Sequence, residues 1–248
     1  MRTRLLLVGA APFAGLLALW TLVTGAGWVS PVFLPPPLPT ARAFAELFSW
    51  SFAAQHLGPS CARVGTAFLI SVALAFPLGL LSGQSALVAR LTHPLLGFLR
   101  YLPVAALVPL CILWFGIDDA QKIAVITVGV ALQLTLLFAG SSAGVSPELL
   151  EAGRAFGLGR AALLWRVVLP AAAPALWDDL RVSAGWAWSY LVLSELVAGS
   201  DGIGYFVVQS QRYLQTERVF AGIFFIGLLG VATDGAFRRC ARALFPWL

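Results

Sequence analysis

Charge is what this chain has least of. Only 11% of its 248 residues are Asp, Glu, Lys or Arg, where soluble domains carry about 25%. Lysine is scarcer still: Lys122 is the single one, and the charge asymmetry between the loops puts it on the outer side. That excludes a phosphate-cradling loop of the GxxxxGK[ST] type, so any ATP this protein uses is hydrolysed by another polypeptide. His56 and His93 stand alone, and no HExxH or GxSxG motif occurs. Cys61, Cys111 and Cys240 are odd in number and far apart, with no CxxC. They read as small apolar residues rather than a disulfide framework or metal site. No catalytic residue, metal ligand or cofactor site emerges.

What the chain has is apolar length. Hydrophobic residues make up 60% and mean hydropathy is +0.89. A membrane-crossing helix needs about 20 apolar residues, and six runs approach that: Leu5–Thr24, Val64–Leu81, Leu95–Phe115, Ala120–Ala139, Val182–Ala198 and Val219–Phe237. The expectation is an all-α polytopic membrane protein with about six transmembrane helices, the first retained rather than cleaved as a signal peptide. Residues 1–55 read as a first helix, an outer loop and a short interfacial helix (Thr40 to Trp50). In that loop, Pro31 to Pro39 is expected to be non-helical. Residues 56–248 read as the core, with Gly116-Ile-Asp-Asp119 a tight turn between the third and fourth runs.

The net charge of +5 and pI of about 9.6 do not point to nucleic acid, because the arginines punctuate the ends of apolar runs. With the N-terminus inside, eleven basic residues fall inside (Arg2, Arg4, Arg90, Arg100, Arg154, Arg160, Arg166, Arg181, Arg238, Arg239, Arg242) and five outside (Arg42, Arg63, Lys122, Arg212, Arg218). That asymmetry predicts both termini in the cytoplasm.

One polar island interrupts the grease: Glu151-Ala-Gly-Arg-Ala-Phe-Gly157, then Leu169-Pro170. Its start has the chemistry of a helix beginning, with Ser146 as N-cap, Pro147 at the first position and Glu148 in the first turn. Ala152, Gly153 and Ala155 would let the helix seat closely in a partner's groove. Gly157 and Gly159 suit a turn with positive φ, and Leu169-Pro170 is expected to end a second helical piece. On amphipathicity alone, this is equally an ordinary surface helix of a positive inner loop.

The spacing favours more. Glu151-Ala152-Gly153, Gly157 after three residues, then Val167-Val-Leu169-Pro170 after nine resembles the signature loop of permease subunits of binding-protein-dependent ABC importers. Gly153 and Val167 depart mildly, standing where alanine and isoleucine are usual. Arg100-Tyr-Leu-Pro103, Pro109-Leu-Cys-Ile-Leu-Trp-Phe-Gly116, Gly202-Ile-Gly-Tyr205 and Leu214-Gln-Thr216 are similar to the nitrate/sulfonate/taurine branch. The resemblance covers roughly Val64 onward.

It implies the type I ABC-importer permease fold, with a cytoplasmic coupling helix in the loop 142–175. Glu151, Ala152, Gly153, Gly157, Leu169 and Pro170 would form the contact with a separate ATPase. The implied setting is the bacterial inner membrane. The implied partners are two ATPase subunits, an extracytoplasmic binding protein meeting the segment 201–218, and a second permease copy.

Polar and helix-breaking residues in apolar runs are tolerated where they face protein or water. Gln133, Thr135, Ser194, Glu195, Pro103 and Pro109 are the pathway candidates. Pro77, Pro103 and Pro109 are expected to bend their helices. Glu195 is expected to lie close enough to the outer end to reach water, with a structural or gating role. Asp178, Asp179 and Arg181 read as a solvated helix start. An ion-gradient-driven secondary transporter is the alternative, with only Glu195 and Asp234 as relay candidates. An integral-membrane enzyme has no paired catalytic groups to support it.

Overall fold

The computed structural model describes residues 2–197 and 199–247, with side chains described from Ala11 onward. The Arg2 and Arg4 side chains of the charge count, and Ala198 at the end of the fifth run, lie outside the described residues. Every regular element described is helical. In order they are α1 (Arg2–Gly25), α2 (Pro37–Glu46), α3 (Trp50–Phe52), a π-helical turn (Ala53–Leu57), α4 (Gly58–Gln84), α5 (Ala86–Leu99), α6 (Val104–Phe115), α7 (Asp119–Ala143), α8 (Pro147–Ala155), α9 (Arg160–Leu163), a second π-helical turn (Leu164–Val168), α10 (Leu169–Val197), α11 (Ile203–Arg212) and α12 (Thr216–Leu244).

Two compact units divide these elements. The first comprises Met1–Pro59 and Ser200–Gly227. Its core is aromatic: Phe225, 3% exposed, meets Phe44, Phe48 and Phe52 edge-on at centroid distances of 6.1, 5.6 and 5.4 Å. The proline-rich loop is tied down by Trp20 Nε1 donating to the Pro35 carbonyl (2.9 Å) and Thr216 Oγ1 donating to that of Val32 (2.6 Å). The loop is not wholly non-helical as expected. Pro37, Leu38 and Pro39 form the first turn of α2, where proline's missing N–H costs no intrahelical bond. The segment after Asp201 forms the amphipathic α11, with Val207 buried and Arg212 exposed.

The second unit comprises Ser60–Gly199 and Leu228–Leu248. Its centre is α7, whose Val125, Ile126, Val130, Leu134 and Phe138 are buried; α7 packs chiefly against α10 and α6. It also meets α4 through two glycines one helical turn apart. A Cβ on Gly79 would lie 2.5 Å from Phe138 Cβ, and one on Gly83 would lie 2.5 Å from the Ala139 carbonyl. Small residues spaced this way let helix backbones approach closely in lipid. Hydroxyls bridge the same pair: Ser71 Oγ donates to the Thr127 carbonyl (3.2 Å) and Ser142 Oγ to that of Leu80 (3.0 Å).

Trp50–Gln84, Asp119–Ala143 and Thr216–Leu244 are long and apolar enough to cross a membrane. The third apolar run is not one helix, as its unbroken hydropathy suggests. It is split into α5 and α6, bent by 96°, with Arg100–Pro103 between them. Pro103 is the N-cap of α6, and the residue before a proline is driven out of helical geometry. Pro77 and Pro109, in contrast, lie inside helices.

Candidate coupling loop and translocation pathway

The polar island folds as its sequence suggests, with instructive exceptions. Ser146 is the N-cap of α8, in extended geometry (ψ 138°), but its hydroxyl makes no capping bond. The helix ends at Gly157, φ +77°, the left-handed conformation a Cβ disfavours. There the Gly157 N–H donates to the Arg154 carbonyl (2.9 Å) and the Leu158 N–H to that of Gly153 (3.1 Å), the paired bonds of a Schellman termination. Gly159 takes φ −68°, so the turn uses one glycine in the left-handed region, not two.

Gly153 is buried within its own loop rather than on an open seating face. A Cβ there would stand 2.6 Å from Leu163 Cδ1 and 3.2 Å from Val167 Cγ2. Ala152 and Ala155 are exposed beside Glu151 and Arg154, and Phe156 is 87% exposed. Nor does Leu169-Pro170 end a helix. A proline lacks an N–H and crowds the carbonyl four residues back. The π-helical turn Leu164–Val168 widens the ladder by one residue just before it, and α10 runs on to Val197. Pro59 follows the other π-helical turn in the same register.

Because α10 starts at Leu169, Asp178 and Asp179 lie inside a helix, not at a solvated start. Asp179 Oδ2 accepts from Ser141 Oγ at 2.5 Å, while Arg181 pairs with Asp178 (3.3 Å) and Asp234 (3.8 Å). Asp234 also pairs with Arg238.

The pathway candidates separate. Thr135 and Ser194 are buried and turned into the protein, their hydroxyls donating to carbonyls of their own helices, Ala131 (2.7 Å) and Leu191 (2.8 Å). Pro109 is exposed in α6. Gln133 and Pro103 line one cavity of about 410 Å³ at the α5–α6 bend, together with Arg100 and Tyr190. Glu195 does not reach water; it is 1% exposed. Its Oε1 accepts from Ser60 Oγ at 2.8 Å and from an Arg63 terminal nitrogen at 2.7 Å. Arg63, itself 2% exposed, also donates through Nε to Asp119 Oδ1 at 2.7 Å. The Lys122 ammonium stands 3.6 Å from that oxygen.

Residues 75–245 match the family described as the binding-protein-dependent transport system inner membrane component. The chain belongs to that family. As a permease it is 34% identical, over 94% of its length and 85% of the relative's, to a putative aliphatic sulfonates transport permease of Bacillus subtilis strain 168. It is 31% identical, over 94% and 87%, to the taurine transport system permease of Escherichia coli K12. In fold it is similar to a chain of the inward-facing MetNI methionine ABC transporter, with TM-score 0.71 and 19% identity, covering 80% of the permease and 98% of that chain. The expected type I importer permease fold and the nitrate/sulfonate/taurine branch both hold, and the permease is a multi-pass inner-membrane protein.

Sequence reasoning missed two features of this permease. The group of buried Ser60, Arg63 and Glu195 with the exposed Asp119 is invisible in the sequence because its members come from three helices; position alone reads Arg63 merely as an outer cation. The helix contact at Gly79 and Gly83 was findable, since Gly79-Leu-Leu-Ser-Gly83 is a small-xxx-small pattern in an apolar run.

Proposed function

We propose that this permease forms the translocation pathway for a small solute bearing a sulfonate-like oxyanion group, taurine-like included, and is driven by separate ATPase subunits that grip the loop Glu151–Pro170. The observation that carries the reading is the construction of α8. Its small-residue contact at Gly153 is spent internally on Leu163 and Val167, which stiffens the loop. Glu151, Arg154 and Phe156 are left outward as a compact polar and aromatic face. A stiff, exposed helix can transmit a push, where a flexible loop would absorb it. ATP binding drives the transition only in so far as it favours one conformation of the assembly over the other.

In this reading two copies of the permease assemble with two ATPases, both termini are cytoplasmic, and α11 belongs to the face that meets the extracytoplasmic binding protein. Relatives named for aliphatic sulfonates and taurine support the solute class. The test is co-expression with the candidate ATPase, followed by ATP hydrolysis in lipid with and without loaded binding protein. A stable complex whose hydrolysis rises with loaded binding protein is expected, and Gly157→Pro should abolish that rise while membrane insertion persists. Full transport by Gly157→Pro would remove the loop from the coupling role. Ion-gradient-driven uptake by this chain alone would replace the importer reading with a secondary transporter.

A further inference from the structure

The cavity at the α5–α6 bend holds polar groups with no protein partner. Among the described residues the Gln133 amide makes no hydrogen bond, although Gln133 lies within the fourth apolar run and is only partly exposed. The Tyr190 hydroxyl likewise makes none, and its ring is seated by Gly129, where a Cβ would come within 2.7 Å of it. Both residues line the cavity. Both are only partly covered, so water or a ligand in the cavity can complete their bonds.

Arg100 stands at the same place. Its guanidinium lies 4.8 Å from the centroid of the Tyr101 ring, and one terminal nitrogen donates to the Tyr101 hydroxyl at 2.9 Å. An arginine has five N–H donors in a planar fork, so most of its donors are uncommitted while the stack fixes its position. The charge count assigns Arg100 to the inner loop. The structure instead sets it in the break of a split apolar run, where it lines the cavity with no acidic residue beside it. The start of α6 adds to the same field: no side chain caps it, and Val104 and Ala105 of its first turn line the cavity. Split helices with their N-terminal ends turned to a cavity suit anionic groups.

We infer that this cavity is the station at which the translocated solute contacts the permease, and that it selects a compact oxyanion. Arg100 supplies the charge and a planar pair of donors for two oxygens of a sulfonate-like group. The Gln133 amide and Tyr190 hydroxyl complete the oxygen contacts, and Leu132 and Leu193 meet a short aliphatic tail. A volume of about 410 Å³ lies in the range of small-molecule sites, roughly 300–1,000 Å³. With one cation and neutral donors, the site favours entry without holding the anion so firmly that it cannot leave.

The inference rests on the importer reading, and its test keeps the two apart. The full transporter, with ATPase and binding protein, is reconstituted in vesicles and given taurine, ethanesulfonate or nitrate as probe. The number of solute molecules imported per ATP hydrolysed is measured for the wild type, Arg100→Gln, Gln133→Leu and Arg100→Lys. Losing a charge-assisted contact should lower that ratio roughly 10- to 100-fold in Arg100→Gln, less in Gln133→Leu, with partial recovery in Arg100→Lys. Wild-type ratios in both Arg100→Gln and Gln133→Leu overturn the site. So does an equal loss in Arg100→Lys and Arg100→Gln, since charge would then be irrelevant. A wild-type complex that imports none of the three solutes overturns the oxyanion assignment, and a chain that binds no ATPase overturns the importer reading itself.

Discussion

At residue scale, Gly153 and Gly157 do different work though both are glycines of one short loop. Gly157 needs a left-handed backbone, so Gly157→Ala should destabilise the loop by about 1–2 kcal/mol and weaken, without abolishing, ATPase co-purification. Gly153 needs space. Gly153→Val would press on Leu163 and cost about 1–3 kcal/mol by overpacking, read as a lower midpoint in thermal unfolding of the detergent-solubilised permease. If Gly153→Val unfolds like the wild type yet loses the ATPase, the glycine serves the partner instead. The need for a turn at Gly157 was legible, because a glycine at the end of a polar helical stretch has few other uses. The side on which Gly153 is crowded was not, because spacing says that a residue is small and nothing about its neighbour.

At element scale, two contacts hold α4 in the second unit. The glycine contact with α7 predicts that Gly83→Leu lowers the unfolding midpoint more than Gly97→Leu, where nothing lies within 4 Å of a Cβ. An equal effect of the two would sink the close-packing account. The ionic contact predicts that Glu195→Gln, which leaves the buried Arg63 short of a counter-charge, costs about 3–5 kcal/mol. The double variant Arg63→Met, Glu195→Leu should regain much of that, because the penalty lies in an uncompensated charge more than in the missing bond. Thermal unfolding of the three proteins decides it. The sequence showed Glu195 near a helix end, and burial made the difference: four residues before the polar Gly199–Asp201 it is still inside. Helix ends reveal nothing about which neighbours cover them.

At the scale of the whole molecule, hydropathy located the apolar runs and the spacing of one loop disclosed the family. It could not disclose the 96° bend, because the third run stays apolar through Leu102-Pro103 and its single arginine looks like a loop charge. The predicted orientation has a direct check. With Cys61 replaced by serine, Cys240, exposed in α12, should resist a membrane-impermeant maleimide in intact cells and react once the cells are opened. Labelling in intact cells would invert the topology.

The buried Arg63–Glu195 pair also sets an order of events during synthesis. Its two members are separated by 132 positions, so at about 5–20 residues per second the arginine waits about 7–26 seconds on the ribosome's clock before its carboxylate exists. Asp119, only 56 positions away, arrives first and is the natural chaperone of that charge in the interval. The permease should therefore insert α4 before it can lock it. A chain arrested short of α10 would hold α4 with its buried arginine still lacking the Glu195 carboxylate.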